Sequence, residues 1–215
     1  MSMLVVLGLS VASILGTRRL ERIPTSSRQG IIELTVESLN NFFVGIIGPG
    51  GEKYTPFIGT LFIYILALNL LGLVPLFHSP TGDLNVPLSL ALIVFVMYNY
   101  FGIRAVGLFS YLKHLVGEPL WLAPLMLPIH VIGELARPVS LSFRLFGNVF
   151  GKETILTILA GMTFVAIPYV AALPTQLPMM VFAVFISFVQ ALVFAILCCI
   201  YIAIAVSGHE EYVHE

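Results

Sequence analysis

The chain has 215 residues, of which 59% are hydrophobic and 10% charged, with a formal net charge of −1. Globular domains carry about 25% charged residues, and a chain this small cannot hide so much apolar side chain in one core, so lipid is its expected solvent. The near-zero charge leaves no basis for a nucleic-acid partner, and the adjacent Cys198 and Cys199 offer neither disulfide geometry nor a metal-ligand spacing.

Residues 1–16 form a first apolar span. No positive stretch precedes it and no small-residue cleavage site follows. Arg18, Arg19 and Arg22 come directly after, the pattern of a retained anchor with cytoplasmic flanking charge. The span is short of the roughly 20 residues of a full crossing. Residues 17–53 are polar and contain five Lys/Arg. There Ile31, Leu34, Leu39, Phe42 and Phe43 alternate with Glu33, Glu37, Asn40 and Asn41, which predicts an amphipathic helix at the membrane interface.

The second span, 54–77, is uncharged and contains Asn69. A short turn with Asp83 but no Lys or Arg leads to the third span, 88–103. Arg104 and Lys113 mark the next polar stretch, which Gly117 and Pro119 break. Two spans separate the two basic stretches, so the positive-inside rule puts both in the cytoplasm.

Residues 120–164 are mostly apolar yet contain His130, Glu134, Arg137, Arg144, Asn148, Lys152 and Glu153. A continuous helix of that length reaches about 67 Å, against a hydrocarbon core of about 30 Å. The segment must be strongly tilted, broken, or both, and Pro124, Pro128 and Pro138 are places to bend. A connector with Pro168, Pro174 and Pro178 precedes the last apolar stretch, 179–206, which carries Gln190. Residues 207–215 form a polar tail. The expected fold is all-α, a single polytopic membrane domain of about five crossings. Its last two helices are long and tilted as a hairpin, its N-terminus is outside and its C-terminus cytoplasmic.

The segment 120–164 sorts its residues by face. With His130 at zero on a wheel of about 100° per residue, Glu134 falls at about 40°, Arg137 at about −20°, Arg144 at about −40°, Asn148 at about 0° and Lys152 at about 40°. Glu153 lies off this stripe, at about 140°. Gly133, Ala136, Ser140, Gly147 and Gly151 fall between about −60° and about −120°, a smooth strip along which another membrane helix can come close. Leu135, Val139, Phe143, Phe146 and Phe150 make the opposite, bulky face.

An arginine at mid-membrane costs at least about 2.5–3.5 kcal/mol, and its pKa above about 12 keeps it charged. Arg144 therefore attracts a carboxylate without taking up its proton, as a fixed electrostatic gate does. The alternative is a structural ion pair with Glu134 or Glu153. His130, Glu134, Asn148 and Glu153 suit a wet proton path, or a capping and interfacial role. Arg137, just before Pro138, is expected at the boundary among headgroups, and Lys152 has the reach to snorkel. Gln190 and Asn69 fit either a single interhelical hydrogen bond or a channel position.

The run Pro138-Val-Ser-Leu-Ser-Phe-Arg144-Leu-Phe-Gly-Asn148 resembles the signature of subunit a of the F-type ATP synthases. Pro56-Phe-Ile-Gly-Thr-Leu-Phe62, Asn69-Leu-Leu-Gly-Leu-Val-Pro75 and Gln190-Ala-Leu-Val-Phe194 are also similar to that family. The resemblance runs from about Ile31 to Ala205. It implies a non-catalytic, proton-translocating subunit beside a rotating ring of c subunits, with two offset half-channels. In that pattern Arg144 separates the half-channels and engages the ring carboxylate. Asn148, Glu153 and Gln190 match channel positions, while His130, Glu134 and Asn69 lie in or near channel-lining regions. The small-residue strip then faces the ring. The implied partners are the c-subunit ring, the b-subunit stalk, the rest of the synthase and lipid. No cofactor is implied, and no phosphate-binding loop of the GxxxxGK type is present in the sequence. The departures are the short N-terminal segment and Gly72, where some members carry an acidic residue. Two other readings are a secondary transporter, which favours paired broken helices and repeats, and a purely structural anchor, which leaves the costly polar stripe unexplained.

Overall fold

The computed structural model describes residues 2–17, 27–73, 83–107, 111, 123–166 and 172–207. Among them the extended elements are all helices: α1 (Ser2–Thr17), α2 (Ser27–Ile47), α3 (Thr55–Leu71), α4 (Asn85–Val106), α5 (Ala123–Ala166) and α6 (Ala172–Ser207). A 3-10 turn, Gly51–Lys53, leads into α3. The all-α expectation holds. Arg18, Arg19, Arg22, Lys113 and the polar tail lie outside the described residues.

Among the described residues, three stretches are long and apolar enough to cross a membrane: Gln29–Ile47, Asn85–Val106 and Pro178–Val206. Thr55–Leu71 is apolar but shorter. The segment expected at the interface, α2, thus also has the length and composition of a span, because only Glu33 and Glu37 are charged between Gln29 and Ile47.

The charged segment is not broken. α5 is one helix of 44 residues with Pro128 and Pro138 inside it, and at about 1.5 Å per residue it extends about 66 Å. A helix of that length fits a bilayer only by steep tilt or by leaving the hydrocarbon at an end. α6 has 36 residues and begins at Ala172, so Pro174 and Pro178 belong to the helix and not to a connector. Pro174 falls in the first turn, where a missing N–H leaves no bond unmade.

The described chain forms two compact units, one of Met1–Pro80 with Leu156–Ile196 and one of Thr81–Ile155 with Leu197–Glu215. In the first, α2 ends in Gly48-Pro49-Gly50-Gly51. Gly48 and Gly50 have φ of 96° and 79°, a left-handed conformation that glycine adopts without penalty. Beyond this reversal, the fully buried Phe43 of α2 meets Phe62 of α3 edge-on at 6.4 Å between ring centroids. Phe62 in turn meets Phe188 of α6 at 5.9 Å. Edge-to-face pairs of this kind add about 0.5–1.5 kcal/mol each beyond burial.

In the second unit, α4 and the end of α6 approach closely at Gly102. A Cβ there would lie 3.0 Å from the Tyr111 ring, 3.1 Å from Cβ of Ala205 and 3.2 Å from its carbonyl oxygen. Small residues replace the hydrophobic drive that lipid removes by letting backbones touch. Gly102→Val is expected to force the two helices apart at a cost of about 1–3 kcal/mol. That loss reads as a lower melting temperature of the detergent-extracted protein. Gly59→Val is the matched control, because nothing lies within 4 Å of a Cβ at that position.

Candidate functional site

The polar stripe of α5 takes shape from which flank the chain buries. Leu141, Leu145 and Val149 are buried, at 2%, 0% and 2% exposure. On the wheel they fall at about 20°, 60° and about 100°, on one side of the stripe. Gly133, Ala136, Ser140 and Gly147, on the other side, are exposed, and Gly151 is half-buried. A Cβ at Gly133, Gly147 or Gly151 would meet nothing within 4 Å. The smooth strip is therefore open, as is much of the bulky face with Leu135, Val139, Phe143 and Phe150. Phe146 and Phe150 stack at 5.7 Å.

Arg144 and Asn148 are exposed on the border between the buried flank and the smooth strip. Among the described residues Arg144 has no ion-pair partner, because Glu134 pairs with Arg137 instead, at 2.6 Å. His130 is exposed, Glu153 half-buried and Lys152 buried at 7% exposure. Lys152 does not snorkel outward; its side chain lies inside the protein beside Glu153.

Asn69 and Gln190 belong to the first unit. Both are buried, at 1% and 5% exposure. Gln190 sits on the packed face of α6 with Ser187, Ala191 and Phe194. Ser187 turns its hydroxyl back onto the Ala183 carbonyl at 2.7 Å, which satisfies a buried donor within the helix. Cys198 and Cys199 are free, buried thiols that act as apolar filler.

A cluster that sequence spacing does not bring together lies about two to three helix turns before Arg144. Tyr98 of α4 donates its hydroxyl to Oε2 of Glu134. The Arg137 guanidinium lies over two rings, 5.9 Å from the centroid of Tyr98 and 5.4 Å from that of Tyr201 on α6. The two rings are themselves 5.9 Å apart, and Phe95 packs edge-on against Tyr98 at 5.5 Å. Arg137, expected at the boundary among headgroups, thus has protein partners as well, with 28% of its side chain exposed. Nearby, Tyr111 donates its hydroxyl to Oδ1 of Asn99 at 2.7 Å. Burial pushes the Tyr111 phenol up, Glu134 adds to the rise and Arg137 offsets part of it, so Tyr111 stays a neutral donor. No sequence spacing connects positions 98, 137 and 201, so only the packed structure brings them together.

The family model described as ATP synthase A chain matches residues 1–203. Among curated relatives, ATP synthase subunit a of Protochlamydia amoebophila is 41% identical over 211 residues, covering 94% of this chain and 77% of that protein. ATP synthase subunit a of Desulfosudis oleivorans is 40% identical over 216 residues, covering 100% of this chain and 86% of that protein. ATP synthase subunit a of Trichlorobacter lovleyi is 43% identical over 198 residues, covering 92% and 82% respectively.

Proposed function

Since the chain belongs to the ATP synthase A chain family, we propose that it is the proton-conducting membrane subunit of a bacterial rotary ATP synthase. It makes no chemical bond itself. It supplies two offset half-channels and the barrier between them, while a ring of carboxylate-bearing c subunits turns past α5. A proton enters one half-channel, neutralises a ring carboxylate, travels round with it and leaves through the other. A unit charge crossing 100 mV yields about 2.3 kcal/mol, so several protons must be coupled through rotation to drive one synthesis step.

Arg144 is the barrier. Its guanidinium stays protonated at any working pH, so it cannot relay a proton. It holds the ring carboxylate in its ionised form by charge-assisted hydrogen bonds and releases it when a proton arrives. The observation that carries this role is exposure: Arg144 points out of its own chain, beside an open strip of Gly133, Ala136, Ser140 and Gly147. An exposed, unshielded cation on a lipid-embedded helix is costly unless a partner brings a compensating carboxylate to it. His130, Glu134, Asn148, Glu153, Gln190 and Asn69 line the two paths in this reading, exchanging protons or holding water. The basic stretches lie on the cytoplasmic side, the N-terminus outside and the C-terminus inside. The b-subunit stalk and the remainder of the synthase complete the partners.

Cross-linking tests the placement of the strip. Ser140→Cys is expected to form a disulfide, under mild oxidant, with a cysteine placed on the outer helix of the c subunit near its carboxylate. Leu92→Cys, on an exposed face of α4, is expected to form none. Cross-linking from Leu92→Cys with none from Ser140→Cys would put the ring against a different face and remove the proposal.

A further inference from the structure

We propose that Arg137, with Glu134, Tyr98 and Tyr201, is a positioning clamp that fixes the rotation of α5 about its own axis and so aims Arg144. This rests on the reading of Arg144 as the gate. Pro138 has no N–H, so α5 lacks the hydrogen bond that residue 138 would otherwise give to the Glu134 carbonyl. The helix lacks a backbone hydrogen bond at the very turn where it carries Glu134 and Arg137. Arg144 lies two turns further on, about 10 Å along the axis and rotated by only about 20° from Arg137. A twist at Pro138 would swing Arg144 off the border between the buried flank and the smooth strip.

The clamp supplies what the backbone lacks. Arg137 and Glu134 are tied to each other at 2.6 Å. Each is also tied to another helix: Glu134 accepts the Tyr98 hydroxyl from α4, and Arg137 lies against Tyr98 and against Tyr201 of α6. Tyr98 is 1% exposed and has Phe95 against its ring, so it is a fixed anchor. A guanidinium that lies against two adjoining rings while bonded to a carboxylate has few alternative geometries, because the ring contacts and the planar fork both restrict it. Held this way, Glu134 fixes the rotation of α5 in addition to lining its path.

The test uses the assembled complex in vesicles, with Cys198 and Cys199 replaced by alanine and spin labels on cysteines at positions 93 and 150. Ile93 and Phe150 are both exposed and lie in the same unit. The clamp predicts a narrow distance distribution that broadens in Arg137→Gln and in Glu134→Gln. Tyr98→Phe keeps both rings and loses only the hydroxyl, and it is expected to broaden the distribution less. With Arg144 intact, Arg137→Gln is expected to lower the ratio of ATP-driven pumping to passive proton leak about tenfold. Arg137→Lys retains the charge but loses the planar stack, and should recover part of that ratio. A distribution as narrow in Arg137→Gln as in the parent overturns the clamp, whatever pumping does. Broadening with an unchanged ratio overturns its role in aiming Arg144. Failure of Arg144 as a gate shows instead in the Arg144 variants and leaves the distance measurement untouched.

Discussion

Arg144→Ala is expected to abolish ATP-driven proton pumping, by on the order of 100-fold or more, in vesicles matched for assembled complex. Removing one partner of a desolvated ion pair costs about 3–5 kcal/mol, and each 1.36 kcal/mol is about tenfold in rate. Nothing within the described chain depends on the Arg144 side chain: it is exposed and makes no ion pair there. The variant should therefore insert and assemble normally, so that loss of pumping reports the gate and not the fold. Arg144→Lys keeps the charge but loses the rigid two-pronged fork. It is expected to retain a small fraction of activity, because a point charge attracts a carboxylate without fixing its geometry. Quenching of a pH-sensitive dye on addition of ATP, normalised to complex per vesicle, measures both.

The second large effect comes from bulk on the smooth strip. Gly147→Leu has ample room inside its own chain, since a Cβ there meets nothing within 4 Å. Leucine is also the better helix former by up to about 1 kcal/mol. The isolated subunit should be as stable as the parent or slightly more so. In the proposed complex, the same side chain would project into the path of a moving ring, and coupled pumping should fall by about tenfold or more, the cost of an overpacked contact met at every step. Phe143→Leu, on the bulky exposed face, changes volume away from the proposed ring track and should pump nearly normally. Equal pumping in parent and Gly147→Leu would mean that the strip faces lipid.

Much of this site is legible in the sequence because charged residues in lipid are costly and therefore few. One wheel suffices to gather His130, Glu134, Arg137, Arg144, Asn148 and Lys152 on one side of α5 and the small residues beside them. The buried flank of Leu141, Leu145 and Val149 is not legible. In a membrane chain, apolar side chains suit lipid and protein interior equally, so hydropathy does not separate them. The same ambiguity applies to α2, whose two glutamates mark an interfacial face in the sequence while its length and composition also suit a span. The uninterrupted run of α5 through Pro128 and Pro138 is a tertiary outcome, since proline weakens a helix locally and neighbouring helices re-support it. Tyr98 and Tyr201 lie far from Arg137 in sequence, and a pairing set by three packed helices has no local signal to read.

The most direct measurement is passive proton conductance of the membrane sector after the peripheral ATPase is stripped from the vesicles, comparing the parent with Arg144→Ala. Loss of pumping alone is also what a broken structural ion pair produces, whereas a barrier between two half-channels leaks when it is removed. The gate predicts that Arg144→Ala conducts protons under an imposed potential without ring rotation, so that conductance persists when the ring is held by a cross-link to the stator. Conductance in Arg144→Ala that is absent, or that stops when the ring is held, would contradict Arg144 as the separator of the half-channels.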